Sequence, residues 1–182
     1  MNFITKNLKQ AGVFNTILIA TAIIVQVYLL CIDIDMPTLP FAICVIVIIA
    51  LAFGLFYAFY GYKKEAAKYY KAFMVLSLIS YVVSAISHLP YFANAKVRTF
   101  AAFARIIPLI FLSFKKDFGK KNSVICASVV FICSLINLIG TIMKLNFAPV
   151  YILSSLNQVL LSAITIIFVE AKYADKEARG TK

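Results

Sequence analysis

The sequence is poor in acidic residues and in histidine. Its 182 residues include seven Asp and Glu and one His, against 18 Lys and Arg. Acid–base catalysis and metal coordination need clusters of Asp, Glu, His or Cys side chains, and none surrounds the single histidine, His88. The sequence contains no HExxH, GxSxG, P-loop or glycine-rich dinucleotide turn. We therefore expect no enzyme, no cofactor and no metal site.

Apolar residues dominate the composition. Hydrophobic residues make up 63% of the chain and charged residues 14%, whereas a soluble domain is about half apolar and a quarter charged. A hydrocarbon core of about 30 Å takes a helix of roughly 20 apolar residues to cross, and backbone groups in lipid must pair within the segment. The sequence predicts one all-α domain, residues 1–182, an integral membrane six-helix bundle with no soluble domain. Its approximate spans are 11–32, 40–62, 70–89, 97–114, 122–143 and 147–170.

The fourth span is interrupted by Arg105, and the distribution of charge decides whether it crosses. If it does, and the N-terminus is inside, 14 of the Lys and Arg residues lie in the inner segments and three in the outer ones. If it does not, the best split is 11 against seven. Positive charge near span ends resists translocation, so six spans with cytoplasmic N- and C-termini are preferred. We expect a multi-pass protein of the cell membrane, with a bacterial inner membrane favoured.

The basic residues therefore predict contact with the lipid bilayer and its anionic head groups rather than with nucleic acid. The four cysteines show no CxxC spacing. Cys31 and Cys44 flank the first outer loop and would pair if that side is oxidising. Four free thiols are the preferred interpretation.

Polar side chains recur at helical spacing in three spans. Span three has Ser77, Ser80, Ser84 and Ser87 on one face, which indicates either the wall of a polar cavity or, preferably, a tight helix seam. Asn137 in span five, with Asn157 and Gln158 in span six, adds three amides. A side-chain amide is costly in lipid without partners, so these amides are expected to point at each other or at water. They fit either interhelical contacts or a small neutral or zwitterionic ligand.

Arg105 is the strongest candidate for a functional residue. It lies near the centre of span four, seven residues after Arg98 and on the same face, and no Asp or Glu lies at the centre of any span. Intramembrane cations are functional candidates by default. The alternative is an arginine that extends toward the interface along a helix loosened by Pro108. The candidate ligand-binding set is Arg105, Arg98, Asn137, Asn157, Gln158 and Ser84.

Span two has small residues at intervals of four, at Ala50, Gly54 and Ala58. Such a ridge permits close helix approach, either inside the bundle or against a partner subunit or second copy. In size, span count and inside N-terminus the chain resembles the substrate-binding membrane subunits of energy-coupling-factor vitamin importers. Those subunits dock through small residues on a helix, and the resemblance implies that the ridge would serve similarly.

Two functions remain open, with a third behind them. The first is a subunit that binds or transports a small anionic or polar solute near Arg105. The second is a non-catalytic interaction or accessory protein that acts through helix packing and basic inner loops. The third, an enzyme acting on lipid head groups, lacks a visible acid–base pair.

Overall fold

The chain folds into helices throughout the part that the structure describes. The computed structural model describes residues 8–32, 38–59, 66–89, 96–115, 118–143 and 149–180, and no strand occurs within these ranges. The expected all-α fold is confirmed. The helices are α1 Leu8–Ile32, α2 Thr38–Phe59, α3 Ala67–His88, α4 Lys96–Ala104, α5 Ile106–Phe114, α6 Lys120–Met143 and α7 Pro149–Gly180.

Six segments are long and apolar enough to cross a membrane, and they overlap all six predicted spans. The largest difference is in the last span, where α7 continues to Gly180, well past the predicted end at 170. The extension, residues 171–180, contains three Ala, two Lys, one Arg and one Glu, all strong helix formers, so the helix persists beyond its apolar part. The segments are Val13–Cys31, Ala42–Phe59, Ala67–Ile86, Lys96–Phe114, Lys120–Met143 and Ile152–Ala174.

The fourth segment consists of α4 and α5, which meet at Arg105. Pro108 has no backbone N–H, and its ring conflicts with the carbonyl four residues earlier, at Ala104, where α4 ends. The backbone of Arg105 keeps near-helical angles, with φ −69° and ψ −26°. The Leu109 amide still donates to the Arg105 carbonyl at 3.4 Å. The segment is therefore weakened at its centre but remains continuous.

The segments pack as a ring in chain order. α1 packs on α2, α2 on α3, α3 on α4 and α5, these two on α6, α6 on α7, and α7 closes the ring against α1. α7 also contacts α3 across the centre. α3 and α7 run antiparallel, since Phe73 contacts Phe168 at one end of the pair and Tyr81, later in α3, contacts Gln158, earlier in α7. Side chains that α3 and α7 direct inward therefore lie at the centre of the bundle.

The bundle buries many polar side chains alongside its hydrophobic core and exposes many large apolar ones. Buried side chains include the amides of Asn15, Gln26, Asn137 and Asn157. By contrast Phe59 is 84% exposed and Phe100 75% exposed. An aqueous protein does not present so many large apolar side chains on its surface, so the exposure pattern is typical of a multi-pass membrane protein.

The small-residue ridge of α2 lies inside the bundle. Ala50, Gly54 and Ala58 are all buried. A Cβ atom added at Gly54 would lie 3.1 Å from Phe73 and 3.2 Å from Phe168. The ridge therefore fits the first of its two interpretations, close helix packing within the chain, and these three residues do not offer an outward surface. Binding of a partner subunit or second copy stays a prediction.

Many of the buried hydroxyls bond to their own helix. Ser80 donates to the Ser77 carbonyl at 2.8 Å, Ser134 to the Val130 carbonyl at 2.9 Å, and Ser162 to the Val159 carbonyl at 2.8 Å. This back-bonding lets serine lie in an apolar seam without an interhelical partner. The side chains of Ser87 and His88 lie outside the described part of the structure. The four cysteines are free thiols, with Cys31 exposed and Cys44 buried.

Candidate functional site

Arg105 points into the centre of the bundle. Its side chain is 0% exposed, which excludes the alternative of an arginine extended toward an interface. The weakened turn at Pro108 places it between α4 and α5, facing α3, α6 and α7. Its Nη1 donates to Gln158 Oε1 at 2.6 Å and lies 3.5 Å from Ser134 Oγ. The guanidinium lies over the Tyr81 ring, 4.7 Å from its centroid, where cation–π attraction offsets part of the cost of burial.

The guanidinium has more donors than its surroundings have acceptors. Nε and Nη2 are buried and have no hydrogen-bond partner. These two nitrogens carry three N–H bonds. Among the side chains that the structure describes, the partners of Arg105 include no carboxylate. A buried cation without a counter-ion destabilises a fold by several kcal/mol, so the site is suited to an added acceptor or anion.

Gln158 connects the polar residues around Arg105. Its Oε1 accepts from Arg105 and, at 3.2 Å, from Asn137 Nδ2. Its Nε2 donates to Ser84 Oγ at 3.0 Å. Its main-chain carbonyl accepts from the Tyr81 hydroxyl at 2.9 Å. One glutamine therefore holds α3, the fourth segment and α6 to α7.

Arg98 extends the arrangement toward the end of the bundle at which α4 begins. Its Nε donates to Asn137 Oδ1 at 3.4 Å, and the residue is partly exposed. Gly140 makes room for it, since a Cβ atom there would lie 2.7 Å from Arg98 Cγ. A hydrogen-bonded path thus runs from partly exposed Arg98 through Asn137 and Gln158 to buried Arg105. We call this group the cationic cluster: Arg98, Arg105, Asn137, Gln158, Ser84 and Ser134.

Asn157 does not join the cationic cluster. It is next to Gln158 in sequence, but successive residues of a helix point about 100° apart. Its Nδ2 donates to Gln26 Oε1 on α1. Beside this pair is a cavity of about 20 Å³ whose polar lining is Gln26, Ser80, Tyr81, Ser154, Asn157 and Gln158. We call it the amide cavity. Tyr81 and Gln158 border both regions.

Five of the six candidate residues are thus brought together, and Asn157 is the exception. Their role in ligand binding stays a prediction. Sequence reasoning missed Tyr81 and Ser134, although both fit the spacing: Tyr81 is four residues after Ser77 and three before Ser84, and Ser134 is three before Asn137. The signal at Tyr81 is weak because most of a tyrosine side chain is an apolar ring.

Among the side chains that the structure describes, one carboxylate is buried, near the end of the last segment. Glu170 is 5% exposed. It is 12 residues after Gln158, which is about 18 Å along the helix axis, so it is not a partner for Arg105. α7 continues past it and keeps it against the bundle. Within the described ranges no group of three or more His, Cys, Asp or Glu could hold a metal ion.

Comparison with known proteins identifies no relative. No protein-family model matches the chain, and no curated protein or solved structure shows significant similarity to it. The architectural resemblance to vitamin-importer subunits is therefore not accompanied by a structural match, and the function has to be argued from the site itself.

Proposed function

We propose that the chain is a multi-pass protein of the cell membrane that binds a small anionic or polar solute at Arg105, as a binding or transport subunit without catalytic activity. In the proposed topology the fourth segment crosses the membrane and both ends of the sequence are cytoplasmic. The basic loops then lie on the inner side, next to anionic lipid.

One observation carries the proposal: Arg105 is buried, and two of its three guanidinium nitrogens have no partner. A cation at mid-span costs about 3 kcal/mol even on the insertion scale that penalises it least. A bound anion would accept from the unpaired nitrogens and neutralise the charge. Arg98, partly exposed and linked to Arg105 through two amides, supports access from the end where α4 begins.

Ligand-dependent unfolding tests the proposal. The purified chain is heated in detergent or nanodiscs with a panel of small inorganic anions, carboxylates and vitamins. A ligand present at 100 times its dissociation constant stabilises the folded state by about 2.7 kcal/mol, a clear shift of the midpoint. Arg105→Gln should remove the shift. Lys115→Met is the matched control, because it removes an exposed cation from the end of the same segment. If no ligand of the panel stabilises the chain, or Arg105→Gln responds as the native chain does, the proposal fails.

A second candidate is a non-catalytic interaction or accessory protein. It is favoured by the hydrogen bond from Arg105 Nη1 to Gln158 Oε1, at 2.6 Å. Through this bond Arg105 links two helices without a ligand. Purification in a mild detergent tests it, and recovery of a lone monomer would count heavily against it.

A further inference from the structure

The amide cavity and the cationic cluster share α3 and α7 but differ in their other elements. Its lining comes from α1, α2, α3 and α7, and its polar residues are uncharged. The cationic cluster is formed by α3, the fourth segment, α6 and α7. Only Tyr81 and Gln158 border both. The cavity is therefore a second polar site, which the proposed binding at Arg105 does not use.

The cavity has an acceptor without a donor. Asn157 is 3% exposed, and its Oδ1 has no hydrogen-bond partner, because its Nδ2 is the group that bonds Gln26. A buried amide oxygen without a donor is costly at this depth. A hydrogen-bond donor placed beside Asn157 Oδ1 would remove this cost.

The hydroxyls of Tyr81 and Ser80 do not supply it, because their protons are committed elsewhere. Tyr81 donates to the Gln158 carbonyl at 2.9 Å, and Ser80 donates to the Ser77 carbonyl at 2.8 Å. Each oxygen keeps lone pairs that can accept. Asn157 Oδ1, Tyr81 and Ser80 therefore offer acceptors, which favour an occupant that can donate. A cation is disfavoured because the Arg105 guanidinium lies over the Tyr81 ring, 4.7 Å from its centroid.

The volume of the cavity is sufficient for a water molecule. About 20 Å³ is open to the centre of a water-sized molecule, and roughly 10–15 Å³ suffices for one water with two or more polar partners. We propose that the amide cavity is a binding site for one ordered water molecule, which donates to Asn157 Oδ1 and to a lone pair of Tyr81 or Ser80.

Water-to-amide magnetisation transfer in the full-length chain tests this directly. In nanodiscs with selectively labelled asparagine, we expect a cross-peak between a long-lived water and the Asn157 side-chain amide. Asn137 is the internal control: the same residue type, also buried, with Nδ2 committed to Gln158 and no place in the cavity lining. Absence of the Asn157 cross-peak, or equal intensity at both asparagines, overturns the proposal.

A variant that fills the cavity gives an independent test, because the direction of the change in the unfolding midpoint distinguishes a hydrated cavity from a dry one. Ser154→Val should displace the water, leave Asn157 Oδ1 without a donor, and lower the unfolding midpoint by about 2–4 °C. Ser154→Ala keeps the space and should stay within 1 °C or so of the native chain. A midpoint raised by Ser154→Val would mean that the cavity is dry and was improved by filling, which contradicts the proposal.

Discussion

Gln158 belongs to the cationic cluster and to the lining of the amide cavity, and Tyr81 contacts both, yet the two regions lack opposite hydrogen-bonding groups. Around Arg105 there are too few acceptors, since Nε and Nη2 have no partner. Around Asn157 there are too few donors, since Oδ1 has none. The first region therefore favours an anion and the second a neutral donor. Two adjacent residues of α7, Asn157 and Gln158, thus face two polar regions that lack opposite hydrogen-bonding groups.

The difference has a physical origin in the helix geometry. Gln158 faces the weakened fourth segment, where Pro108 lets Arg105 turn inward. Asn157 faces α1, whose amide Gln26 is uncharged. Four variants test whether this division is real, in order of decreasing expected effect.

Removing the shared acceptor should have the largest effect. Gln158→Leu deprives Arg105 Nη1 and Asn137 Nδ2 of Oε1 and leaves a buried charge with weaker pairing. We expect a loss of about 3–5 kcal/mol in the free energy of unfolding, measured by denaturant titration in micelles. Gln158→Glu is the control, because it keeps the acceptor and adds a counter-charge. Equal stability of Gln158→Leu and the native chain would show that the cluster is not held through this residue.

Removing the buried charge should raise the free energy of unfolding rather than lower it. Arg105→Met replaces a desolvated guanidinium with an apolar side chain, and Gln158 keeps Asn137 as a donor. We expect stability in the same assay to rise by about 1–3 kcal/mol while any anion response is lost. Arg105→Lys is the comparison, since it keeps the charge and loses the planar donors. A large loss of stability in Arg105→Met would mean that Arg105 is a structural contact and not a site kept for a ligand.

Beside the amide cavity, replacing both partners of the Gln26–Asn157 hydrogen bond should cost less stability than replacing one. Asn157→Leu leaves Gln26 Oε1 without its donor and should cost about 1–2 kcal/mol. The double variant Gln26→Leu with Asn157→Leu removes both partners and should return close to native stability. Thermal unfolding of the three variants decides this. If the double variant is as unstable as the single one, packing rather than hydrogen bonding governs this region.

The smallest effect is expected at Gly140. A methyl group there meets Arg98 Cγ at 2.7 Å, so Gly140→Ala should push Arg98 away from Asn137 at a cost of about 1 kcal/mol. Gly119→Ala is a useful contrast, because its positive φ of 74° strains the backbone while nothing lies within 4 Å. If the account is right, only Gly140→Ala weakens an anion response, as measured by the ligand-induced shift.

The fold could be anticipated from the sequence because apolar length and charge placement are strong signals. The six segments, the weakened fourth one and the inward polar stripes all follow from them. The cluster at Arg105 could be anticipated in part. Helical spacing places Ser84 and Asn137 on inward faces, and amides and a cation that are costly to bury alone are expected to pair with each other. The separation of Asn157 from Gln158 could not be anticipated, because it depends on which neighbour each face of α7 meets. The burial of Glu170 depends likewise on α7 continuing past the apolar segment.

Membrane topology of the fourth segment is the most direct test of the account, because Arg105 lies at mid-membrane only if that segment crosses. Reporter fusions at positions within residues 60–65 and 115–119 measure this. The account predicts that both reporters lie on the cytoplasmic side, and that one at residue 92 lies on the other. Reporters at 60–65 and 115–119 found on opposite sides would place Arg105 outside the membrane core and contradict the central claim.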